Sequence, residues 1–241
     1  VQESVIDLNT PDGVMNTERF VPDGPGPYPV VLFYMDAFGV RDELREMARR
    51  LAGLGYLVLM PNLYYRETRR FVLQPGEAGM DILRAMMGRL SIAMVQRDTG
   101  AMLDFVDSDR AARRERIGAV GYCMSGPFVI GAADRYPDRI AAIASIHGAN
   151  MVTEAPDSPH RLAVRLRCET YVACAEIDKW APPAEMAELE RQLRASGAPH
   201  MLEWYPGAQH GFVFPQRAHA YDAVSAERHW QRLEALFARC L

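Results

Sequence analysis

Short apolar runs alternate with amphipathic stretches along almost the whole chain, and this alternation leaves few folds open. Val30-Val31-Leu32-Phe33-Tyr34 is apolar at every position, which suits a strand buried on both faces of a parallel sheet. Residues 57–60, 117–120, 141–146, 171–175 and 201–205 read as further strands. Between them the spacing predicts helices over 42–54, 78–88, 92–106, 127–136, 185–196 and 221–239. Strands that alternate with helices in this way form an α/β fold, a mostly parallel central sheet with helices on both faces. The chain opens differently, with a hairpin turning at Thr10-Pro11-Asp12-Gly13. Residues 64–77 have no clean period and read as a surface loop. At 241 residues, one domain over 1–241 is the expected organisation.

Composition removes several classes of function. With 49% hydrophobic and 24% charged residues the chain is an ordinary globular one, without long disorder. A net charge of −4 gives no basis for broad binding to nucleic acid or anionic lipid. No apolar run approaches the roughly 18 residues of a membrane span. The stretch from Val1 to Thr10 is acidic, which speaks against a retained signal peptide. Four cysteines (Cys123, Cys168, Cys174, Cys240) lack CxxC spacing, and no cysteine or histidine cluster has zinc-ligand spacing. Reduced thiols and a cytoplasmic location are therefore expected. Lys179 is the one lysine among 27 basic residues, which reads as a genomic bias toward arginine.

In such sheets, chemistry gathers beyond the carboxyl ends of the strands. After the run 117–120 comes Gly121-Tyr122-Cys123-Met124-Ser125-Gly126, followed by a helix. This has the form of a nucleophile elbow with cysteine in the nucleophile position. A strand that turns sharply into a helix needs small residues two away from the nucleophile, and Gly121 and Ser125 supply them. The turn puts the thiol at a helix N-terminus, where the dipole favours a thiolate. It also aims the Met124 N–H at a developing oxyanion.

Such a nucleophile needs an acid and a histidine later in the chain, in that order. His210 lies just past the last apolar run and before the final helix, the expected place for the base. His147 also follows a strand end but precedes the candidate acids, and packing or pocket lining suits it better. His160, His200, His219 and His229 are expected to face solvent. For the acid, Asp178 lies past its strand and is preferred, while Glu176 remains a rival on the same side of that strand.

These residues and others resemble the dienelactone hydrolase (carboxymethylenebutenolidase) family over nearly the whole chain. The matching pieces are Met35-Asp36-Ala37-Phe38-Gly39-Val40, Gly55-Tyr56, Pro61-Asn62-Leu63-Tyr64, the Gly121-Tyr122-Cys123 elbow and His210-Gly211-Phe212. Only the elbow is specific alone; their ordered co-occurrence is the stronger signal. The resemblance implies an α/β-hydrolase fold without a large cap, no metal and no organic cofactor. It also implies a triad of Cys123, His210 and Asp178, with Ala37 N–H as second oxyanion donor. The family has a thiol-tuning glutamate where this chain has the shorter Asp36. Its members also carry a carboxylate-binding arginine shortly after the histidine, a stretch here apolar. Arg84, Arg89 or Arg217 could stand in, although solvated helix faces suit them better.

The implied activity is hydrolysis of small lactones or enol esters, with Phe38, Tyr122, Phe212 and Phe214 as candidate pocket residues beside Arg84. The alternatives are a general short-chain carboxylesterase, a non-catalytic small-molecule receptor on the same scaffold, and a redox-sensing thiol protein. The partner in the first two is a small molecule; monomer and dimer are both open.

Overall fold

The apolar runs form strands in the computed structural model, which describes residues 1–241. Contacts divide the chain into two units, Val1–Glu115 and Arg116–Leu241.

In the first unit, β1 (Gln2–Thr10) and β2 (Gly13–Val21) make the opening hairpin, in antiparallel register from Gln2 opposite Val21 to Thr10 opposite Gly13. β3 (Val30–Tyr34) and β4 (Leu57–Pro61) are buried at every residue and pair in parallel, with β2 antiparallel on the far side of β4. The strand order here is β1-β2-β4-β3. Helix α1 (Asp42–Gly53) crosses between β3 and β4 and packs on β4 and β2. Asp42 and Glu43 lie in its first turn, where carboxylates suit the helix dipole. Gly55, just past its end, takes φ +99°, a backbone that a side chain would strain. Two more helices follow, α2 (Glu77–Gly88) and α3 (Ile92–Ser108), the latter capped by Ser91 Oγ accepting from Met94 N–H. Asp98, fully buried on α3, accepts a two-pronged pair from Arg66 and the Tyr65 hydroxyl. Tyr65 also meets Thr10 Oγ1 at 2.6 Å, so the network clamps the hairpin tip to α3.

In the second unit, β5 (Ile117–Tyr122), β6 (Ile140–Ile146), β7 (Glu169–Ile177) and β8 (His200–Gln209) pair in that order, all in parallel. Their carboxyl ends therefore lie along one edge, which is what gathers a site. A 3₁₀ turn, Cys123–Ser125, leads from β5 into α4 (Gly126–Arg135), which packs on β5 and β6. The short α5 (Pro159–Ala163) was not expected from the sequence. Helices α6 (Pro183–Ser196) and α7 (Ala223–Cys240) complete the unit, and Asp222 caps α7 by accepting from Ser225 N–H at 2.6 Å. β8 runs beyond the expected 205 because the ladder with β7 continues through a bulge. Ala175 faces Tyr205 and Ile177 faces Gln209, so β7 advances two residues while β8 advances four. Pro206 and Gly207, a loop signal in the sequence, lie within that bulge.

Candidate active site

The elbow at the end of β5 is as tight as its small residues require. Cys123 adopts φ +55°, a left-handed backbone that a non-glycine residue holds at a cost. A Cβ on Gly121 would meet the Ser125 carbonyl oxygen at 2.3 Å, and one on Gly126 would meet Gly148 Cα at 2.5 Å. Neither glycine can carry a side chain without moving the strand, the turn or the helix. Cys123 is half-buried, while the other three cysteines are buried. Burial pushes the Cys168 and Cys174 thiols up, to about 11 and about 12, so they stay protonated and unreactive at neutral pH.

His210 and Asp178 arrive from the ends of β8 and β7. Cys123 Sγ lies 3.0 Å from His210 Nε2, and His210 Nδ1 lies 2.7 Å from Asp178 Oδ2. A carboxylate only accepts, so Nδ1 carries a proton and Nε2 is the nitrogen that faces sulfur. The other carboxylate oxygen, Oδ1, accepts from Trp180 N–H at 2.9 Å, which fixes the acid's orientation. Glu176, the rival acid, turns to the bulge instead and accepts from Gly207 N–H at 2.7 Å. Burial disfavours a charged His210, but the hydrogen bonds to Asp178 and Cys123 and the attraction of their charges outweigh it. The imidazole is raised from 6.5 to about 9. An imidazole held protonated beside a sulfur is an arrangement that can stabilise a thiolate and deliver a proton. Met124 follows Cys123 inside the 3₁₀ turn, with its N–H at the start of the helical segment.

The loop after β3 belongs to the first unit. Asp36 is fully buried; its Oδ1 accepts from Phe38 N–H at 3.1 Å, and its two oxygens accept from Arg41 at 2.5 and 3.1 Å. Arg41 also bonds the buried Glu43 and lies over the Phe38 ring. Asp36 is therefore one half of an ion pair, its carboxylate held by a guanidinium that sequence reasoning missed. Two carboxylates flanking Arg41 at 36 and 43 are the only signal that could have found it. Ala37 is buried and its carbonyl accepts from Tyr64 Oη at 2.8 Å. Arg84 stands exposed on α2, paired with Asp81 one turn away, as a solvated helix face would be.

Three expected pocket residues are corrected by their burial. Tyr122, Phe212 and Phe214 have no exposed surface, so they form a packed aromatic floor instead of lining an open cavity. Tyr205 stacks on Phe212 at 4.7 Å, and Tyr122 meets Phe214 at 5.7 Å. His229, expected to face solvent, is fully buried on α7. Its Nδ1 donates to the Ala226 carbonyl at 3.0 Å, which leaves Nε2 to accept from the Tyr122 hydroxyl at 3.1 Å. At the rim, Trp180 is 48% exposed and Lys179 Nζ sits 4.9 Å from its ring centroid. No helix is long and apolar enough to cross a membrane.

Comparison with known proteins identifies the fold and the family. The model of the dienelactone hydrolase family matches residues 15–241. A Synechocystis protein named "Putative carboxymethylenebutenolidase" is 29% identical over 219 residues, covering 90% of this chain and 88% of its own. A crystal structure titled "Putative Dienelactone Hydrolase" from Klebsiella pneumoniae superposes with a TM-score of 0.89 at 25% identity, covering 98% of both chains. The fold is shared as well by a dienelactone hydrolase-like promiscuous phosphotriesterase, P91, from metagenomic libraries, at TM-score 0.81 and 22% identity over 100% of this chain and 99% of that one. A match this long, over a mostly parallel α/β fold of the same kind, means that the chain belongs to the dienelactone hydrolase family of hydrolases.

Proposed function

We propose that this hydrolase opens small lactones or enol esters through a Cys123 thiolate. The sulfur attacks the substrate carbonyl and the carbonyl oxygen becomes an oxyanion, met by the Met124 N–H. One such donor lowers a barrier of this kind by roughly 3 kcal/mol. The tetrahedral intermediate collapses by breaking the bond to the enolate or alkoxide oxygen, which takes the Nε2 proton of His210. The acyl group is then a thioester on Cys123. Water attacks it, His210 takes the water proton, and collapse returns the thiolate, the imidazolium and a carboxylic acid. Asp178 keeps Nδ1 protonated throughout and orients the ring. A thiolate is itself a good leaving group, so amides, which expel a poor one, are expected to turn over far more slowly than enol esters and activated lactones.

The observation that carries this reading is the unbroken line from sulfur to imidazole to carboxylate, at 3.0 and 2.7 Å, on a strained elbow. Steady-state hydrolysis of a dienelactone and of p-nitrophenyl acetate tests it. The lactone is expected to have the higher kcat/KM, and a mass increase equal to the acyl group is expected on Cys123 after rapid quenching. Cys123→Ala should lower kcat by about 10³-fold or more on both substrates. Full turnover by that variant would remove Cys123 as the nucleophile, and a preference for p-nitrophenyl acetate would make the protein a general esterase.

A further inference from the structure

His147 carries three costs at one position. Its φ is +38°, in the left-handed region that side chains resist. Its ring is fully buried. Neither ring nitrogen has a hydrogen-bond partner, although an unpaired buried polar group is destabilising. A histidine kept for proton transfer or ligation has a partner on at least one nitrogen. What His147 has instead is four ring contacts. His210 lies 4.8 Å away at 63°, Phe214 5.5 Å at 70°, Phe212 5.7 Å at 73° and Tyr122 6.2 Å at 53°. The titratable and charged groups near it are His210, His229, Arg217 and the Tyr122 hydroxyl. Burial first, and then His210, Arg217 and His229, hold its pKa well below the ordinary 6.5, so the ring is uncharged.

The segment that bears it is also tied to the elbow. His147 N–H donates to the Ala173 carbonyl at 2.8 Å, and Ala149 N–H donates to the carbonyl of Cys123 itself at 3.1 Å. Gly148 between them leaves no room for a Cβ, which would meet Ser145 Oγ at 2.4 Å. One rigid loop therefore refers both the cysteine backbone and the His147 ring to the same frame.

We propose that His147 is a positioning residue, an uncharged aromatic wall that packs edge to face with His210 and fixes the imidazole plane between Asp178 and Cys123. The role needs the ring and not its nitrogens. It rests on the reading of Cys123, His210 and Asp178 as the reacting set.

Two variants separate ring from volume: His147→Phe keeps a flat ring and drops both nitrogens, while His147→Leu keeps bulk and drops the ring. The readouts are iodoacetamide alkylation of Cys123 against pH, followed by mass spectrometry, with kcat and KM on p-nitrophenyl acetate and the melting temperature. The Phe variant is expected to keep the wild-type alkylation profile and kcat and to melt about 2–4 °C higher, as the orphan polar atoms are gone. The Leu variant is expected to lose about tenfold in kcat at unchanged KM, with its alkylation profile moved toward that of an ordinary thiol. A Phe variant as impaired as the Leu one overturns the proposal by giving the role to the nitrogens. A Leu variant that matches wild type in both profile and kcat overturns it by making the ring dispensable. Wild-type Cys123 that alkylates like an ordinary free thiol sinks the triad reading instead, and the contrast between the two variants still decides the wall.

Discussion

His210 sits between two partners that both favour its proton, and its pH behaviour follows from them. Burial alone would lower its pKa; Asp178 and Cys123 raise it to about 9. In the proposed mechanism lactone opening needs the Nε2 proton, so hydrolysis is expected to persist up to about pH 9 and to fall above it. In Asp178→Asn the raising carboxylate is gone while the burial remains. The alkaline limb of kcat/KM should then move down by about one pH unit or more. A pH–rate series on both proteins checks this, and a limb that stays in place would separate it from His210. At this scale the meeting of Cys123, His210 and Asp178 was legible because each directly follows a strand in a short local pattern. The burial of His229 was not, because its side-chain partner, the Tyr122 hydroxyl, lies 107 residues away in the chain. Arg41 was not legible either, because a guanidinium between two carboxylates looks the same in sequence whether it is buried or solvated.

Among the elements, β7 and β8 lead into Asp178 and His210, and a cluster midway along the two strands fastens them to α7. Glu203 on β8 accepts from the Tyr171 hydroxyl on β7 and from Arg228 and Arg232 on α7. Burial opposes its charge, but those hydrogen bonds prevail and hold its pKa at about 2 against an ordinary 4.5. A depressed carboxylate contributes stability above pH 4.5 that is lost as pH falls through about 2. Glu203→Gln should therefore cost about 2 kcal/mol in urea unfolding at neutral pH, with the gap to wild type closing as the pH drops toward 2. An equal gap at both ends would deny the carboxylate its role. Most strands and helices were legible from apolar period alone. β8 was cut short in the sequence because Pro206 and Gly207 read as a loop, and only the neighbouring strand reveals the bulge that absorbs them. The five-residue α5 is too short to have a period.

Across the whole molecule, positive charge is almost entirely guanidinium. This matters beyond any genomic bias, because a planar fork makes two-pronged pairs that an ammonium cannot. Arg45 with Glu18, Arg49 with Glu3, Arg66 with Asp98 and Arg165 with Asp134 all pair in this way. Their two-pronged geometry lay outside what the sequence could give, since it joins residues far apart in the chain. The same composition leaves Lys179 as the one side-chain amine, next to Asp178 and against the half-exposed Trp180. An amine-reactive dye should therefore attach at residue 179 and otherwise only at the α-amine, which peptide mapping can verify. The indole beneath that dye makes it a natural quencher. A single chromophore could then report, by its brightness alone, each time a ligand settles at the rim or the loop holding the acid shifts.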